Sequence, residues 1–173
     1  MASDKVQSLV AERLCTWVDP NAGIPETQEY TYSWTATSGA LGTVANGTTT
    51  KTLSNVAWTI QRSDNAGYTG WGNNVIQIGS KNNPENLTLK TSGISGTIKS
   101  VIVECASYQA KHNISIAVGG VSYVSKATPS WSDNTVGAVA CEGSSTGDIE
   151  IKITKGSGAR ALYIKSIKIV YEN

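Results

Sequence analysis

The sequence contains no phenylalanine, one methionine, four prolines and one histidine among its 173 residues. Without phenylalanine, a hydrophobic core has to be built from Val, Ile, Leu, Trp and Tyr side chains. The single histidine, His112, is the only imidazole available for a Ser-His-Asp or Cys-His arrangement. It lies in the polar stretch 109–113 with no nucleophile motif beside it, and we interpret it as a histidine of a surface turn. The sequence therefore predicts that the protein is not an enzyme.

Charge is also scarce. Charged residues make up 16% of the chain, against about 25% in an ordinary soluble domain. Fourteen Lys and Arg and thirteen Asp and Glu give a net charge of +1, and they form no basic run. Because nucleic-acid affinity depends on clustered cationic charge, we predict no nucleic-acid partner. Low charge with seventeen glycines and many Thr, Ser and Asn is typical of an extracellular β-protein.

The three cysteines have no metal-ligand spacing. We interpret Cys15, Cys105 and Cys141 as buried or half-buried thiols, which is how unpaired cysteines usually behave. Cys105 and Cys141 each end a strand-like run, so a disulfide bridge between them stays an open alternative. No metal other than calcium is predicted from the sequence.

Long apolar runs are absent. No segment approaches the roughly twenty apolar residues of a membrane-spanning helix, so we predict no membrane span. The first eighteen residues also do not resemble a signal peptide, because Asp4, Lys5, Glu12 and Arg13 interrupt any apolar stretch. The chain is expected in a virion, at a cell surface or outside the cell.

One helix is predicted, over residues 3–18, and it is followed by a linker-like segment, 19–25, with two prolines and a glycine. A helix this short is marginal alone in water, so its apolar face needs a partner. We predict an attachment arm over residues 1–25 and a β-sandwich domain over 26–173. The partner of the arm is the same domain, a second copy or another protein of an assembly, and we favour the last two. The predicted docking residues are Val6, Leu9, Val10, Leu14 and Trp17.

From residue 28 onwards the hydrophobic period changes to two, which is typical of half-buried strands. The clearest alternations comprise Tyr30, Tyr32 and Trp34; Val56, Trp58 and Ile60; and Ile149, Ile151 and Ile153. Further strand-like runs lie at 74–79, 86–90, 97–104, 113–118, 121–125 and 135–141, separated by turn residues. A phase slip within 161–172 predicts a β-bulge near Ser166. The pattern indicates an all-β fold, a two-sheet antiparallel β-sandwich (jelly roll) with one short N-terminal helix.

The stretch NNVIQIGSKNNPENLTLKTSGISGTIKSVIVECASY carries a family resemblance that continues through NISIAVGGVSYV to GDIEIKIT and ALYIKSIKIVYEN. It resembles β-sandwich modules of secreted multi-domain proteins of gut Bacteroidota and Firmicutes, which are broadly similar to galactose-binding-like jelly rolls. The resemblance covers roughly residues 50–173. It implies a module without activity of its own, and a bacteriophage of such a host could carry the same module on its virion.

Two segments without strand periodicity contain aromatic rings beside amide and carboxylate groups. Residues 63–74 are predicted to form one long loop with Tyr68, Trp71 and Asn73, and residues 128–134 form a second with Trp131 and Asp133. An aromatic ring can stack on the apolar face of a sugar while amides and carboxylates bind its hydroxyl groups. These five residues are the candidate ligand site. The alternative is that the rings fold back and close the end of the sandwich.

Acidic and amide side chains in the same segments suggest one further candidate. Asp64, Asn65, Asn73 or Asp133 could bind a structural calcium ion together with backbone carbonyls, although their spacing matches no EF-hand. Asp64 and Asp133 are also the only pair of carboxylates that we would consider for a glycosidase. Because exposed turn aspartates are far commoner than catalytic ones, this does not change the prediction that the protein is not an enzyme.

Taken together, the sequence predicts a non-catalytic structural or adhesion module displayed on a surface, with a virion component such as a phage head or tail decoration preferred. The alternative is a carbohydrate-binding accessory module of a secreted gut-bacterial protein. The predicted partners are other structural proteins or a second copy through the N-terminal arm, and a glycan.

Overall fold

A computed structural model describes residues 23–33, 44–62, 69–72, 75–80, 82–106, 111–127 and 136–173. These ranges contain twelve β-strands and no helix, and hence no helix that could cross a membrane. The predicted helix over residues 3–18 lies outside them. The division into an arm and a sandwich domain therefore stays a prediction.

The strands follow the period-two runs of the sequence closely. They are β1 Thr27–Ser33, β2 Thr48–Leu53, β3 Val56–Arg62, β4 Thr69–Gly72, β5 Val75–Ile78, β6 Leu87–Thr91, β7 Thr97–Ala106, β8 His112–Val118, β9 Val121–Ala127, β10 Val136–Ser145, β11 Ile149–Lys155 and β12 Leu162–Glu172. The sequence pattern did not predict β2 or β4. The first is almost all threonine and lysine, and the second is half glycine, so neither shows alternating hydrophobicity.

The strands form two six-stranded sheets, and every pairing between them is antiparallel. One sheet has the order β10-β7-β12-β5-β4, with β1 also paired to β12; the other has the order β2-β3-β6-β11-β8-β9. The chain passes repeatedly from one sheet to the other, as in jelly rolls. The predicted two-sheet antiparallel β-sandwich is confirmed.

The core between the sheets contains no phenylalanine and is dominated by Ile, Val and Leu. Trp58 is completely buried, and Tyr30 and Tyr32 are nearly so, as their strand periodicity predicts. Trp34 lies outside the described residues. The predicted bulge in β12 is confirmed as well, because the register to β7 shifts between Ile164 and Ser166. The bulge lets β12 keep both halves of its apolar sequence on the inner face.

Cys105 and Cys141 are both buried free thiols. In the β7–β10 ladder Cys105 is opposite Gly137, whereas Cys141 is opposite Val101. Four residues of strand separate the two positions, about 13 Å, and a disulfide needs Cα atoms within about 7 Å. Burial raises the pKa of the Cys105 thiol to about 12. The interpretation as buried thiols is thus confirmed for these two, and Cys15 lies outside the described residues.

The two ends of the sandwich differ in the lengths of their connections. The turn end, where Val56, Thr91 and Ile149 lie, has connections of two to five residues: 54–55, 92–96, 119–120 and 146–148. The loop end, where Arg62, Leu87 and Lys155 lie, is the end at which strands are joined by segments of five to fourteen residues. These segments are 34–47, 63–68, 79–86, 107–111, 128–135 and 156–161.

Two tyrosines link the sheets along the two flanks of the sandwich. The Tyr30 hydroxyl, from β1, donates to the Leu53 carbonyl of the other sheet at 2.8 Å and accepts a bond from Trp58 Nε1 at 3.1 Å. On the opposite flank the Tyr123 hydroxyl, from β9, donates to the Ile98 carbonyl at 2.6 Å and accepts the Ser145 N–H at 2.8 Å. The edges of the two sheets are therefore joined on both sides, which gives the two ends a rigid support.

Candidate functional site

The loop end is where the predicted ligand residues enter the fold. Tyr68, Trp131 and Asp133 belong to segments 63–68 and 128–135, which are outside the described residues, but the strands that they connect are described. The first segment joins the end of β3 to the start of β4, and the second joins the end of β9 to the start of β10. All four strand ends lie at the loop end.

The predicted single loop over 63–74 is wrong in one respect. Residues 69–72 form β4 and residues 75–78 form β5, and together they make a short antiparallel hairpin at the edge of a sheet. Trp71 is therefore a strand residue, paired with Ile76. This strand was not predicted because two of its four residues are glycines, which contribute nothing to an alternation of apolar and polar side chains. Asn73 lies in the hairpin connection, outside the described residues.

Beneath the loop end lies a buried ion pair. Arg62 is the last residue of β3, and its Nε and Nη2 atoms donate to Glu85 Oε1 and Oε2 at 2.7 and 2.8 Å. Only 4% of the Arg62 side chain and none of the Glu85 side chain is exposed. The planar guanidinium matches the carboxylate with two parallel bonds, the strongest form of this interaction.

The same arginine also binds the segment before β2. Its Nη1 atom donates to the Val44 carbonyl at 2.9 Å, and its backbone N–H donates to the Gly47 carbonyl at 2.9 Å. Arg62 thus joins three of the loop-end connections: 34–47, 79–86 and the start of 63–68. One buried side chain consequently sets the relative positions of chain segments that are far apart in sequence.

The connection that carries Glu85 is itself tightly folded. The Ser80 N–H donates to the Asn83 carbonyl at 2.9 Å, and the Asn83 N–H donates back to Ser80 Oγ at 3.2 Å. Gly79 has a φ of +70°, and a Cβ atom there would lie 2.7 Å from the Asn83 carbonyl oxygen. Only glycine fits this position without strain. The turn delivers Glu85 to the inner side of the sandwich, directly before β6.

His112 is not a surface-turn residue, and that interpretation is wrong. It is the first residue of β8, on the inner face with Ile114, Ile116 and Val118, and it has no exposed surface. Within the described part of the chain neither ring nitrogen has a hydrogen-bond partner, although the backbone of Glu85 is close enough to favour the protonated ring. Burial dominates and lowers the pKa of His112 to about 4, so the ring is neutral at pH 7.

Sequence reasoning missed this cluster of Arg62, Glu85 and His112, although a signal for two of its members was present. The inward phase of β3 runs through Trp58 and Ile60 and reaches Arg62 when extended by two residues. The inward phase of β8, extended back from Ile114, reaches His112. A charged or polar residue that continues a buried phase marks an internal polar site. Glu85 precedes its strand and shows no comparable sign.

Chemically, this cluster is suited to positioning chain segments. The Arg62 and Glu85 charges are buried and neutralise each other, and among the described residues no nucleophile is hydrogen-bonded to His112. No three His, Cys, Asp or Glu side chains of the described ranges come together as metal ligands. The predicted calcium ligands Asp64, Asn65, Asn73 and Asp133 lie outside those ranges.

A second, shallower feature lies on the outer face of the β6–β11–β8 sheet, near the turn end. It is a groove of about 130 Å³ lined by Lys90, Ala117, Gly120, Asp148 and Glu150. Lys90 and Asp148 form an exposed ion pair at 2.9 Å. Binding pockets for small molecules usually enclose about 300–1,000 Å³. The groove is therefore too small and too open to serve as the main ligand site.

The chain enters and leaves the sandwich at the turn end. β1 begins opposite the last residues of β12, and the Asn173 N–H donates to the Glu26 carbonyl at 3.3 Å. Residues before Glu26 thus join the domain on the side away from the loop end. The predicted docking residues of the arm, from Val6 to Trp17, are outside the described residues.

No family model and no curated protein matches the chain. Among solved structures it is similar to a cleaved adhesin domain of Lys-gingipain, at 13% identity and a TM-score of 0.47, covering 82% of this chain and 99% of that one. It is also similar to a family-36 carbohydrate-binding module of a multidomain xylanase from the hindgut metagenome of Trinervitermes trinervoides, at 13% identity and a TM-score of 0.41, over 82% and 96% of the two chains. A third is an exo-β-1,3-galactanase from Phanerochaete chrysosporium, at 16% identity and a TM-score of 0.41, where the match spans 83% of this chain but 29% of that one. The likeness is one of fold and assigns no residue a role.

Proposed function

We propose that the protein is a non-catalytic carbohydrate-binding module displayed outside the cell, and that it binds glycan at the loop end through Tyr68, Trp71, Asn73, Trp131 and Asp133. The observation that carries this proposal is the asymmetry of the sandwich. All its long connections leave from one end, and two of them contain aromatic, amide and carboxylate residues. Binding residues of rigid scaffolds are found disproportionately on such connections.

The chemistry of these residues supports a sugar as the ligand. An indole or phenol ring covers the C–H face of a pyranose, while Asn73 and Asp133 offer donors and acceptors to its hydroxyl groups. Trp71 belongs to β4, and β4 is the outermost of the described strands on its side of the sheet. An edge strand leaves one flank of its backbone open to a ligand, unlike a central strand.

The positions of the chain ends support display. Glu26 and Asn173 are bonded to each other at the turn end, so an arm over residues 1–25 would attach the domain with the loop end pointing away. Binding to a partner through Val6, Leu9, Val10, Leu14 and Trp17 and binding to a glycan would then not compete. The described residues contain nothing specific to a virion. We therefore propose the carbohydrate-binding role without assigning the particle or protein to which the module is attached.

We also propose a bound calcium ion, in a role secondary to glycan binding. Asp64, Asn65, Asn73 and Asp133 are oxygen ligands of the type that Ca²⁺ prefers. Asp64 and Asn65 share segment 63–68 with Tyr68, Asp133 shares segment 128–135 with Trp131, and Asn73 lies in the connection that follows the strand of Trp71. If the ion organises those segments, removing it with a chelator should weaken glycan binding and lower the melting temperature together. Readdition of Ca²⁺, but not of Mg²⁺, should restore both.

The decisive experiment is a glycan array followed by titration calorimetry on the best oligosaccharide. Trp71→Ala and Trp131→Ala should each weaken binding by about 1–3 kcal/mol, the scale of one well-buried aromatic contact. Val121→Ala is the control, since Val121 is an exposed apolar residue of the turn end and 54% of its surface is accessible. Unchanged affinity in both tryptophan variants, with the fold intact, would exclude this site.

A further inference from the structure

His112 is the one histidine of the chain, and its burial has no structural benefit that the described residues reveal. Buried polar groups are almost always hydrogen-bonded, because an unsatisfied one costs free energy. Among the described residues neither nitrogen of this fully buried ring has a hydrogen-bond partner. The other two polar members of the loop-end cluster, Arg62 and Glu85, satisfy each other. The ring therefore occupies the core only in its neutral form.

The charges around His112 cannot accommodate an imidazolium. Glu85 is the acid of the cluster, and Arg62 engages both of its oxygens. Lys155, directly opposite His112 on β11, opposes a positive charge on the ring. Lys111 precedes it in the chain, and its carbonyl accepts the Gly156 N–H at 2.7 Å. A proton on His112 would thus place a second cation opposite Lys155, in a buried site where the Glu85 carboxylate is already bound by Arg62.

We infer that His112 makes the loop end acid-sensitive, so that proton uptake at this ring loosens the described connections 44–47 and 79–86, which Arg62 and Glu85 join next to the strand end from which part of the proposed glycan site departs. The route is short. The backbone of Glu85 is the polar group beside the ring, and the Glu85 side chain is bound by Arg62. Arg62 in turn binds Val44 and Gly47. It is also the last residue of β3, the strand that precedes segment 63–68. The consequence for binding rests on the proposed function, whereas the acid sensitivity itself does not.

The pH window follows from the two protonation states. In the unfolded chain the ring takes up a proton near pH 6.5, and in the folded chain it does so only at about 4. Between these values unfolding consumes a proton, so stability falls as the pH falls, by up to tenfold in the unfolding constant per pH unit. Well above pH 6.5 the ring is neutral in both states and contributes no pH dependence. Between pH 7 and pH 4 the unfolding constant is expected to increase by roughly 100-fold.

The presence of a single histidine makes the test unusually clean. No other side chain has its ordinary pKa between pH 5 and 8. Urea unfolding of the full chain at pH 7.5, 6.5, 5.5 and 5.0 should show a progressive loss of stability in the natural sequence. His112→Phe, which fills the same space without titrating, should be at least as stable at pH 7.5 and should give a flat profile over this range. Equal profiles for the two proteins would overturn the inference.

NMR decides the matter if His112→Phe does not fold. The imidazole C–H signals of the natural protein should not titrate between pH 7.5 and 5, and a midpoint near 6.5 would overturn the inference. As the pH is lowered to 4.5, amide shifts should change first in 44–47, 62 and 79–86 while the turn-end segments 92–96 and 119–120 stay constant. Uniform changes over both ends would contradict the proposed route through Glu85.

Failure of the proposed function is distinguishable from failure of this inference. If no oligosaccharide binds, the unfolding and NMR profiles still decide whether His112 responds to acid. If a glycan binds, its affinity should hold constant between pH 7 and 5, and between pH 5 and 4 it should fall more in the natural protein than in His112→Phe. A parallel fall in both proteins would show that acid acts on the ligand contacts themselves and would overturn the regulatory role of His112.

Discussion

Each end of the sandwich contains an ion pair, and the two pairs have similar N–O distances but differ in how deeply they are buried. At the loop end Arg62 meets Glu85 at 2.7 Å with at most 4% of either side chain exposed; at the turn end Lys90 meets Asp148 at 2.9 Å with 48% of each exposed. Asp148 raises the pKa of Lys90, as an opposite charge does. The first pair holds three chain segments together, while the second lies on a surface that is already fixed by its backbone.

This difference shows that the two ends of the fold are held together in different ways. The turn end is closed by short connections in which backbone touches backbone: the Gly119 N–H donates to the Asp148 carbonyl at 2.8 Å, and no side chain could replace either group. The loop end has longer connections, so it depends on side chains in the interior for its order.

The largest effect is expected at the buried pair. Glu85→Gln leaves the shape of the side chain but removes its charge, so the Arg62 guanidinium becomes an uncompensated buried cation. Breaking one partner of a buried pair costs about 3–5 kcal/mol. Urea unfolding at pH 7.5 measures the loss, and 1 M NaCl should not reduce it, because buried charges are poorly screened.

A double variant separates the cost of the lone charge from the value of the pair. Arg62→Met combined with Glu85→Leu removes both charges, and it should be more stable than Glu85→Gln alone, since an apolar replacement of a buried pair is often close to neutral. If the double variant is instead the least stable protein, the bond from the Arg62 side chain to the Val44 carbonyl contributes more than the ion pair does.

An intermediate effect is expected from the backbone packing of the turn end. Gly119 has a φ of +56°, and a Cβ atom there would collide with the carbonyl oxygen of Thr146. Gly119→Ala should therefore cost about 1–3 kcal/mol from strain and displacement. Gly120→Ala is the matched control, because Gly120 also has a positive φ, +82°, but a Cβ there meets nothing within 4 Å. Equal losses in the two variants would mean that the contact with Thr146 contributes nothing.

The sequence predicted most of the fold for a physical reason. A half-buried strand has to alternate, so the alternations around Trp58 and Ile151 reveal strands directly, and the phase slip near Ser166 reveals a bulge. A strand is not predicted where apolar and polar side chains do not alternate, as in β2 with its threonines and β4 with its glycines. Each of those two strands lies at the edge of a sheet, where burial selects less strongly.

The candidate site was harder to predict, because a local pattern does not report contacts between distant segments. His112 was interpreted from its polar neighbours 109–111, although its phase with Ile114 and Ile116 points inward. Glu85 and Arg62 are 23 residues apart in sequence and meet only because β3 and β6 are paired. The aromatic residues Tyr68 and Trp131 were chosen for their chemistry alone, and their role stays a prediction.

The smallest effect should come from the exposed pair, and it completes the comparison. Asp148→Asn makes the same carboxylate-to-amide change as Glu85→Gln and keeps the backbone carbonyl that accepts the Gly119 N–H. Since exposed ion pairs gain little over water and are screened by salt, we expect no measurable change in the urea midpoint at 0.15 M NaCl. Any small loss seen in dilute buffer should disappear at 1 M NaCl, unlike that of Glu85→Gln. A loss that matches Glu85→Gln and persists in salt would mean that the turn end, too, depends on its charges, and the contrast between the two ends would have to be abandoned.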